Sequence, residues 1–353
     1  MTMVRKVSMW CSALALACAA AAGAGLPFAD PIDTPAVASA RAMSVPMAAV
    51  DRAGSRFVAV GLRGTVLVSD DLGRHWRQAA VPVSSDLVAV QFATPQQGWA
   101  SGHDGVILHT TDGGLTWEKQ LDGRRLHALL REAHAERAAA GDAAAKHVLA
   151  EIERDYESGT QQPLLALWFS DERHGLAVGS FGIAVETQDG GATWTSAMDR
   201  IDNPGLLHLF SIGGTGDQAY ISSEKGTVFR LDASSRRFVA SSTGYQGSLF
   251  GLVVDRDTVI AFGLRGQAYR STDGTAHWQR LSTGVDTGLN GGTVAQQRVL
   301  IASQGGQLLV SDDRGQTFRV VPNAVAAPFA GVAVEGSVAA VVGLNGVQAV
   351  DLR

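Results

Sequence analysis

The chain has almost no cysteine. Of its 353 residues only Cys11 and Cys18 are cysteines, and both fall in the first 24. That stretch carries Arg5 and Lys6, then an apolar run over 7–22, then the small residues Ala22, Gly23 and Ala24. A positive start, an apolar middle and a small-residue end make an export signal. Its removal leaves a mature chain with neither a disulfide nor a thiol nucleophile. The apolar run is too short for a spanning helix. LALAC at 14–18 places Leu ahead of the small residue, which argues against lipid attachment at Cys18. A periplasmic or secreted protein is expected. Charge is also sparse, with 18% charged residues and a formal net charge of −5. No basic run of the kind that tracks phosphates occurs, which excludes nucleic acid as a partner. The nine histidines show no metal-ligand spacing, and G-x-S-x-G, P-loop and H-E-x-x-H motifs are missing, so no metal, cofactor or catalytic residue is expected.

What is present is a repeat. Ser/Thr-x-Asp-x-Gly-x-Thr-Trp, intact or decayed, occurs as SDDLGRHW (69–76), TTDGGLTW (110–117), TQDGGATW (187–194), LDASSRRF (231–238), STDGTAHW (271–278) and SDDRGQTF (311–318). The final aromatics lie 41, 77, 44, 40 and 40 residues apart, so one interval is anomalous. A period near 40 with strand-turn-strand patterning points to a propeller. Asp71, Asp112, Asp189, Asp273 and Asp313 suit a carboxylate that accepts backbone N–H bonds and holds a turn. Gly73, Gly114, Gly191 and Gly315 suit a positive φ, and the closing Trp or Phe suits the wedge between sheets. These five aspartates are read as structural, while 231–238 has lost the acid and glycine of its box.

Upstream of each box, a short β-branched run leads into a turn ending in Gly. Seven such turns occur: GLRG (61–64), GHDG (102–105), GSFG (179–182), SEKG (223–226), GLRG (263–266), SQGG (303–306) and GLNG (343–346). The last Gly precedes the box Asp by seven residues in all five intact repeats, so a strand of fixed length separates turn from box. Each unit reads as four antiparallel strands, beginning with an inner one such as 88–92 or 165–169. The fold class is therefore all-β, a seven-bladed β-propeller over 25–353 after a signal peptide at 1–24. Removing the insertion at 121–162 leaves 41 residues per blade. Blade seven runs out of chain after three strands, and the segment 34–43 is expected to supply its fourth by pairing with 347–352. Within the insertion, Leu126, Leu129 and Leu130, then Val148, Leu149, Ile152 and Tyr156, fall at helical spacing on either side of Gly141-Asp142. This predicts a helical hairpin between blades two and three.

Along the turns the glycines repeat and the residues between them vary: Arg63, His103, Asp104, Phe181, Glu224, Lys225, Arg265, Gln304 and Asn345. Such a separation of scaffold from variable tips marks a partner-binding surface, the plain alternative being solvated hairpin ends. The insertion emerges on this same face and can overhang it.

The boxes, the Gly turns, WFSDERHGLAVGSFG (168–182), the helical insertion before it and DNPGLLHLF (202–210) after it resemble the photosystem II stability/assembly factor-like family of BNR/Asp-box propellers, in its non-photosynthetic bacterial type. The resemblance implies a non-catalytic, monomeric binding scaffold. Photosynthetic members are assembly chaperones for a membrane complex. For non-photosynthetic ones it implies a protein partner in or at the membrane, with RND-type exporters as candidates. Asp-boxes also occur in sialidases and other secreted propellers, so a sialidase-like glycoside hydrolase and a polysaccharide-binding propeller stay open. The hydrolase needs a Tyr-Glu pair and converging arginines. Only Tyr156, Tyr220, Tyr245 and Tyr269 are available, with Arg63 and Arg265 as the arginines.

Overall fold

The computed structural model describes residues 29–157, 162–321 and 327–352; the signal peptide expected at 1–24 and Arg353 lie outside the described residues. Seven antiparallel sheets follow one another along the chain, six of four strands and one of three. In blade one, β1 (Met47–Ala53), β2 (Arg56–Gly61), β3 (Val66–Ser69) and β4 (Arg77–Gln78) run from inside to outside in chain order. The Gly turn joins β2 to β3 and the box joins β3 to β4. Gly turns and boxes therefore lie on opposite faces of the ring, and each outer strand crosses to the next inner strand on the Gly-turn face. The second strands are the most buried, as in β2, where every residue after Arg56 is buried. Each is covered by a blade on either side, which their continuous apolar runs reflect.

The boxes are hydrogen-bonded corners. In blade two, Asp112 Oδ1 accepts the Leu115 and Thr116 N–H groups at 2.9 and 3.0 Å and the Thr110 hydroxyl at 2.8 Å, while Oδ2 takes the Thr116 hydroxyl at 2.6 Å. Trp117 Nε1 closes the corner onto Gly114 O at 3.1 Å. Gly114 needs its φ of 88°, and a Cβ there would also press on Val58 of blade one at 3.1 Å. Gly315 repeats this, its Cβ position 2.0 Å from Ile260 of blade five. The box glycine therefore sets the spacing between blades as well as the turn. Blade four departs from expectation: its carboxylate has moved one residue rather than vanished. Asp232 Oδ1 accepts the Ser235 N–H at 2.8 Å and the Ser234 hydroxyl at 2.6 Å, and these bonds hold its carboxyl well below the usual range.

Burial pushes the Asp112 carboxyl up, but the bonds from Thr116, Thr110 and Leu115 outweigh it and leave it lowered. The Thr193 and Thr187 bonds bring Asp189 down to about 2. Replacing Asp112 with Ala removes the acceptor for two backbone N–H groups. An expected loss of about 1–3 kcal/mol in urea unfolding follows, the usual cost of polar groups left without a partner. Since the folded carboxylates titrate below their unfolded value of 3.8, the box contribution is intact above pH 3.8 and fades as pH falls toward about 2. An Asp112→Ala protein as stable as the parent at pH 7 would contradict this account.

The expected fourth strand of blade seven is not formed by 34–43. That sheet has three strands, Phe329–Glu335, Val338–Gly343 and Gly346–Asp351, and 34–43 contains no strand. Instead the segment lies outside blade one. Ile32 is fully buried among Val81, Val83 and Val66, Ser84 N bonds Pro31 O at 2.8 Å, and Ala36 N bonds Val81 O at 3.0 Å. Further on, Ala42 packs with Ala340 and Val342 of blade seven, and the Met43 carbonyl lies against Gly346. Pro31 and Pro35 lack ladder donors, while Ile32 has a better partner in the blade one–two wedge. The segment bridges blades two and seven across blade one without adding a strand.

The insertion is the helical hairpin expected, α1 (Gly123–Ala139) and α2 (Ala143–Glu157). Asp122 caps α1 by accepting from Arg125 N at 3.2 Å, and Gly141 takes φ 95° in the turn. Asp142 accepts from Ala144 N and Ala145 N at the start of α2. Leu126, Leu130, His134 and Ala138, four apart, form the buried stripe of α1.

Candidate functional site

Five of the seven Gly turns begin with a glycine that approaches the entry to the inner strand: a Cβ on Gly61 would lie 2.4 Å from Pro46 O, and one on Gly102 2.0 Å from Asp86 O; the turns of blades four and six begin with Ser223 and Ser303. In five turns, those of blades one to five, the third residue takes a left-handed conformation, with φ between 53° and 57° at Arg63, Asp104, Phe181, Lys225 and Arg265. Non-glycine residues rarely adopt it, so the closed turn must impose it. The fixed backbone presents the variable side chain to solvent.

The structure spreads the nine expected residues around this face. Arg63, His103, Phe181, Lys225, Arg265, Gln304 and Asn345 are exposed, while Asp104 and Glu224 are half-buried. Three of the nine have structural duties. Asp104 Oδ2 accepts the Ser85 hydroxyl at 2.7 Å, Glu224 Oε2 accepts the His208 N–H at 3.0 Å, and Gln304 Nε2 donates to Asn290 Oδ1 at 3.1 Å. Arg63, Lys225 and Arg265 form no ion pair among the described residues. His208 brings Phe181 and Glu224 together, because its Nδ1 accepts the Phe181 N–H at 3.0 Å. Arg63 and Arg265 sit on blades one and five, with two blades between them on one side and three on the other, so they do not converge. Leu62, Leu264 and Leu344, beside the variable positions, are also exposed, Leu344 at 59%. The hairpin stands beside this face: α1 lies against the 103–105 turn, and Leu130, Val148 and Ile152 share a pocket with Phe181, Ile183 and Leu206.

Sequence reading missed the central channel, whose lining does not repeat. The seven inner strands enclose a cavity of about 340 Å³. At its Gly-turn end stand Phe210 and Phe250; toward the box end stand Asp51, Gln91 and Thr293. Beyond these, a wider hollow of about 640 Å³ on the box face is lined by Asp51, Arg52, Gln296 and Glu335. Its polar groups tie blades together. Asp51 accepts the Phe92 N–H at 2.7 Å, Gln91 bonds both Phe169 N and O, and Arg52 donates to Val334 O at 2.8 Å while pairing with Glu335. Burial pushes the Asp51 carboxyl up to about 6 against those bonds.

The tyrosines are engaged elsewhere than a glycosidase would need them. Tyr156 OH donates to Gly123 O, Tyr245 OH donates to Leu264 O at 3.1 Å, and Tyr220 and Tyr269 are buried in the blades. Among the described residues, no cluster of three or more His, Cys, Asp or Glu side chains could hold a metal, and no helix is long and apolar enough to cross a membrane.

His134 is the exceptional histidine. It is 3% exposed, and neither ring nitrogen has a partner. Burial and Arg137 lower its pKa, against Asp199 and Asp142, which raise it. On the same helix His127 stacks on Tyr156 and is lowered by burial and Arg131, against Glu153. Docked imidazoles that resist protonation leave the packed hairpin at full strength above the free value near 6.5, and that strength falls as pH drops below it. Protection factors of the α1 amides, corrected for the pH dependence of intrinsic exchange, are therefore expected to be lower at pH 5 than at pH 7.5. His134→Leu should remove part of that pH dependence, and an unchanged pH profile in this variant would count against the assignment.

The structure is a seven-bladed Asp-box propeller with the Gly turns along one face and a helical hairpin beside them. Its likeness to known proteins is specific: the profile of a family described as "Photosynthesis system II assembly factor YCF48" matches residues 43–131. The chain is 31% identical over 173 residues to the "Photosystem II assembly protein Ycf48" of Synechococcus sp. (strain JA-2-3B'a(2-13)), covering 46% of this chain and 51% of that one. It is 31% identical over 64 residues to the "Photosystem II assembly lipoprotein Ycf48" of Synechococcus sp. (strain CC9902), covering 17% of this chain and 19% of that one. The matches thus span about half the length of these relatives or less. Among solved structures, "YCF48 bound to D1 peptide" superposes with a TM-score of 0.63 at 15% identity, covering 88% of this chain and 94% of that one. The WD40 propeller domain of Doa1 superposes with a TM-score of 0.61 at 12% identity, covering 90% and 95%. The chain is similar to the photosystem II assembly factor-like propellers, and its fold is theirs.

Proposed function

We propose that this protein is a non-catalytic, exported assembly-factor-like propeller that docks a protein subunit of a membrane complex on its Gly-turn face. One observation carries the reading: seven turns of closely similar placement, five of them with the same left-handed third residue, present outward side chains that include three cations forming no ion pair among the described residues. The names of its relatives support it, since both Synechococcus proteins are called photosystem II assembly proteins, one of them a lipoprotein, and a related propeller binds a peptide. The export signal expected over 1–24 supports a partner outside the cytoplasm, in the periplasm or at its membrane, and an RND-type exporter is the finer form of the proposal.

The test uses the mature protein as bait in detergent-solubilised envelope of its own source, with bound subunits identified by mass spectrometry. Arg63→Glu with Arg265→Glu is expected to reduce recovery of a defined membrane-complex subunit at least tenfold without moving the melting temperature. Exposed side chains shift stability by no more than about 0.5 kcal/mol. Recovery of the same subunits by the double variant would sink the face as the docking surface. Exporter subunits absent from the parent's catch would remove the finer form.

A further inference from the structure

The Gly-turn end of the channel is chemically unlike the rest of it. Phe181, 40% exposed on the blade-three turn, meets His208 edge-on with ring centroids 4.7 Å apart. His208 lies 6.1 Å from Phe210, and Phe210 meets Phe250 edge-on at 5.5 Å. His208 Nδ1 accepts the Phe181 N–H, which fixes this ring beside the strip. A half-buried aromatic run thus leads from the exposed turns of blade three into the channel wall of blades four and five. Across the channel the lining is small: Ala48, Ala49, Ala89 and Ala330. Void remains between these walls where, in a closed core, side chains would interdigitate.

We infer that this mouth is a socket for one large apolar side chain, Phe or Leu in size, from an extended acidic segment of a partner protein. The inference rests on the docking role proposed above and names the kind of segment that face takes. Acidity follows from charge complementarity. Lys225 and Arg265, on the turns of blades four and five beside the strip, form no ion pair among the described residues. Glu224 is spent on the His208 backbone, and Asp286, exposed near the blade-five turn, is not in ion-pair contact with Arg265. A peptide is favoured over a glycan because Phe210 and Phe250 stand at 85° to each other. They form a notch for a side chain and no flat platform for a sugar ring.

The experiment selects random linear twelve-residue peptides by display on the immobilised mature protein and measures the enriched sequences by fluorescence polarisation. Enriched peptides are expected to carry a large apolar residue next to Asp or Glu. Their affinity should drop at least tenfold with Ala330→Trp, which fills the mouth, and with Phe250→Ser, which opens the notch, each checked for an unchanged circular dichroism spectrum. Peptides without a common large apolar residue, equal binding to Ala330→Trp, or no enrichment at all would each overturn the socket. Peptides weakened by Arg63→Glu/Arg265→Glu but indifferent to Ala330→Trp would leave the docking face standing and remove only the socket. An isolated signal on a glycan array would instead favour the polysaccharide-binding alternative.

Discussion

Trp99→Ala is expected to destabilise the propeller by about 3–5 kcal/mol, the range for removing a fully buried large aromatic side chain. Trp99 is 0% exposed and lies on the second strand of blade two (Gly98–Gly102), where it fills the wedge toward blade three. Its ring stacks on Phe169 with centroids 3.6 Å apart and 8° between planes, and on His109 at 4.8 Å from the other side. Its Nε1 donates to Gly190 O in the box of blade three at 3.3 Å. One residue thus joins the strand of one blade to the inner strand and corner of the next. Alanine would remove the stack, leave the Gly190 carbonyl with only its Gln120 Nε2 bond and open a cavity between stiff sheets that cannot collapse into it. Trp99→Phe should recover most of the loss, because it keeps the stack and gives up the indole bond. Urea unfolding followed by circular dichroism reads both. A Trp99→Ala cost below about 1 kcal/mol would mean that the blades repack, contrary to the close-packed interface described.

The same residue shows where the repeat informs and where it stops. Counting back from the Gly turn, Trp99 occupies the position of Val58 in blade one, Tyr220 in blade four and Ile260 in blade five. Each of Val58, Trp99 and Ile260 presses on the box of the next blade. Blade number, box corners and turn glycines were legible in the sequence because every blade meets the same backbone problem and answers it with the same residue types. The moved carboxylate of blade four was missed because Asp232 stands one place before the acid position of the motif, although a Ser-rich tail after an Asp is itself a turn signal. The path of 29–44 was missed for a different reason. Strand count asked for an edge strand, but the burial of Ile32 and the two prolines decided otherwise, and neither is a periodic signal. The channel was invisible because inner strands face a different neighbour at each blade. Phe210 and Phe250 hold the same place in their blades, but that place is Ala48, Asn290 and Ala330 in blades one, six and seven, so no repeated residue type marks the lining. Of the nine turn residues, the exposure of seven was legible from the pattern, and the half-burial of Asp104 and Glu224 was not. That Asp104, Glu224 and Gln304 are held by Ser85, His208 and Asn290 was not, since those partners come from loops of variable length.

Removing the hairpin should cost stability as well as binding. Read as a surface decoration, its deletion would leave thermal stability nearly unchanged, but the packing reverses that expectation. Leu126, Leu130 and Ile152 are at most 7% exposed and belong to the same apolar cluster as Ile183, Met198, Trp194 and Ile201 of blade three. Burial of each such side chain contributes about 1.5–3 kcal/mol. The N-terminal segment depends on the hairpin too, since Asp33 pairs with Arg124 at 2.7 Å and with Lys119 at 3.3 Å. Replacing 124–159 by a short Gly-Ser linker is therefore expected to lower the melting temperature by several degrees while the propeller stays folded. It should also leave Ile183, Met198 and Leu206 open to water next to Phe181. If the hairpin walls the docking face, recovery of the partner falls further than with the charge reversals alone. If it only covers blade three, recovery returns when Ile183→Ser and Met198→Ser make the uncovered floor polar. Comparing those two proteins by pull-down and thermal unfolding separates a binding wall from a lid on a hydrophobic patch. An unshifted melting temperature in the deletion would refute the packing role outright.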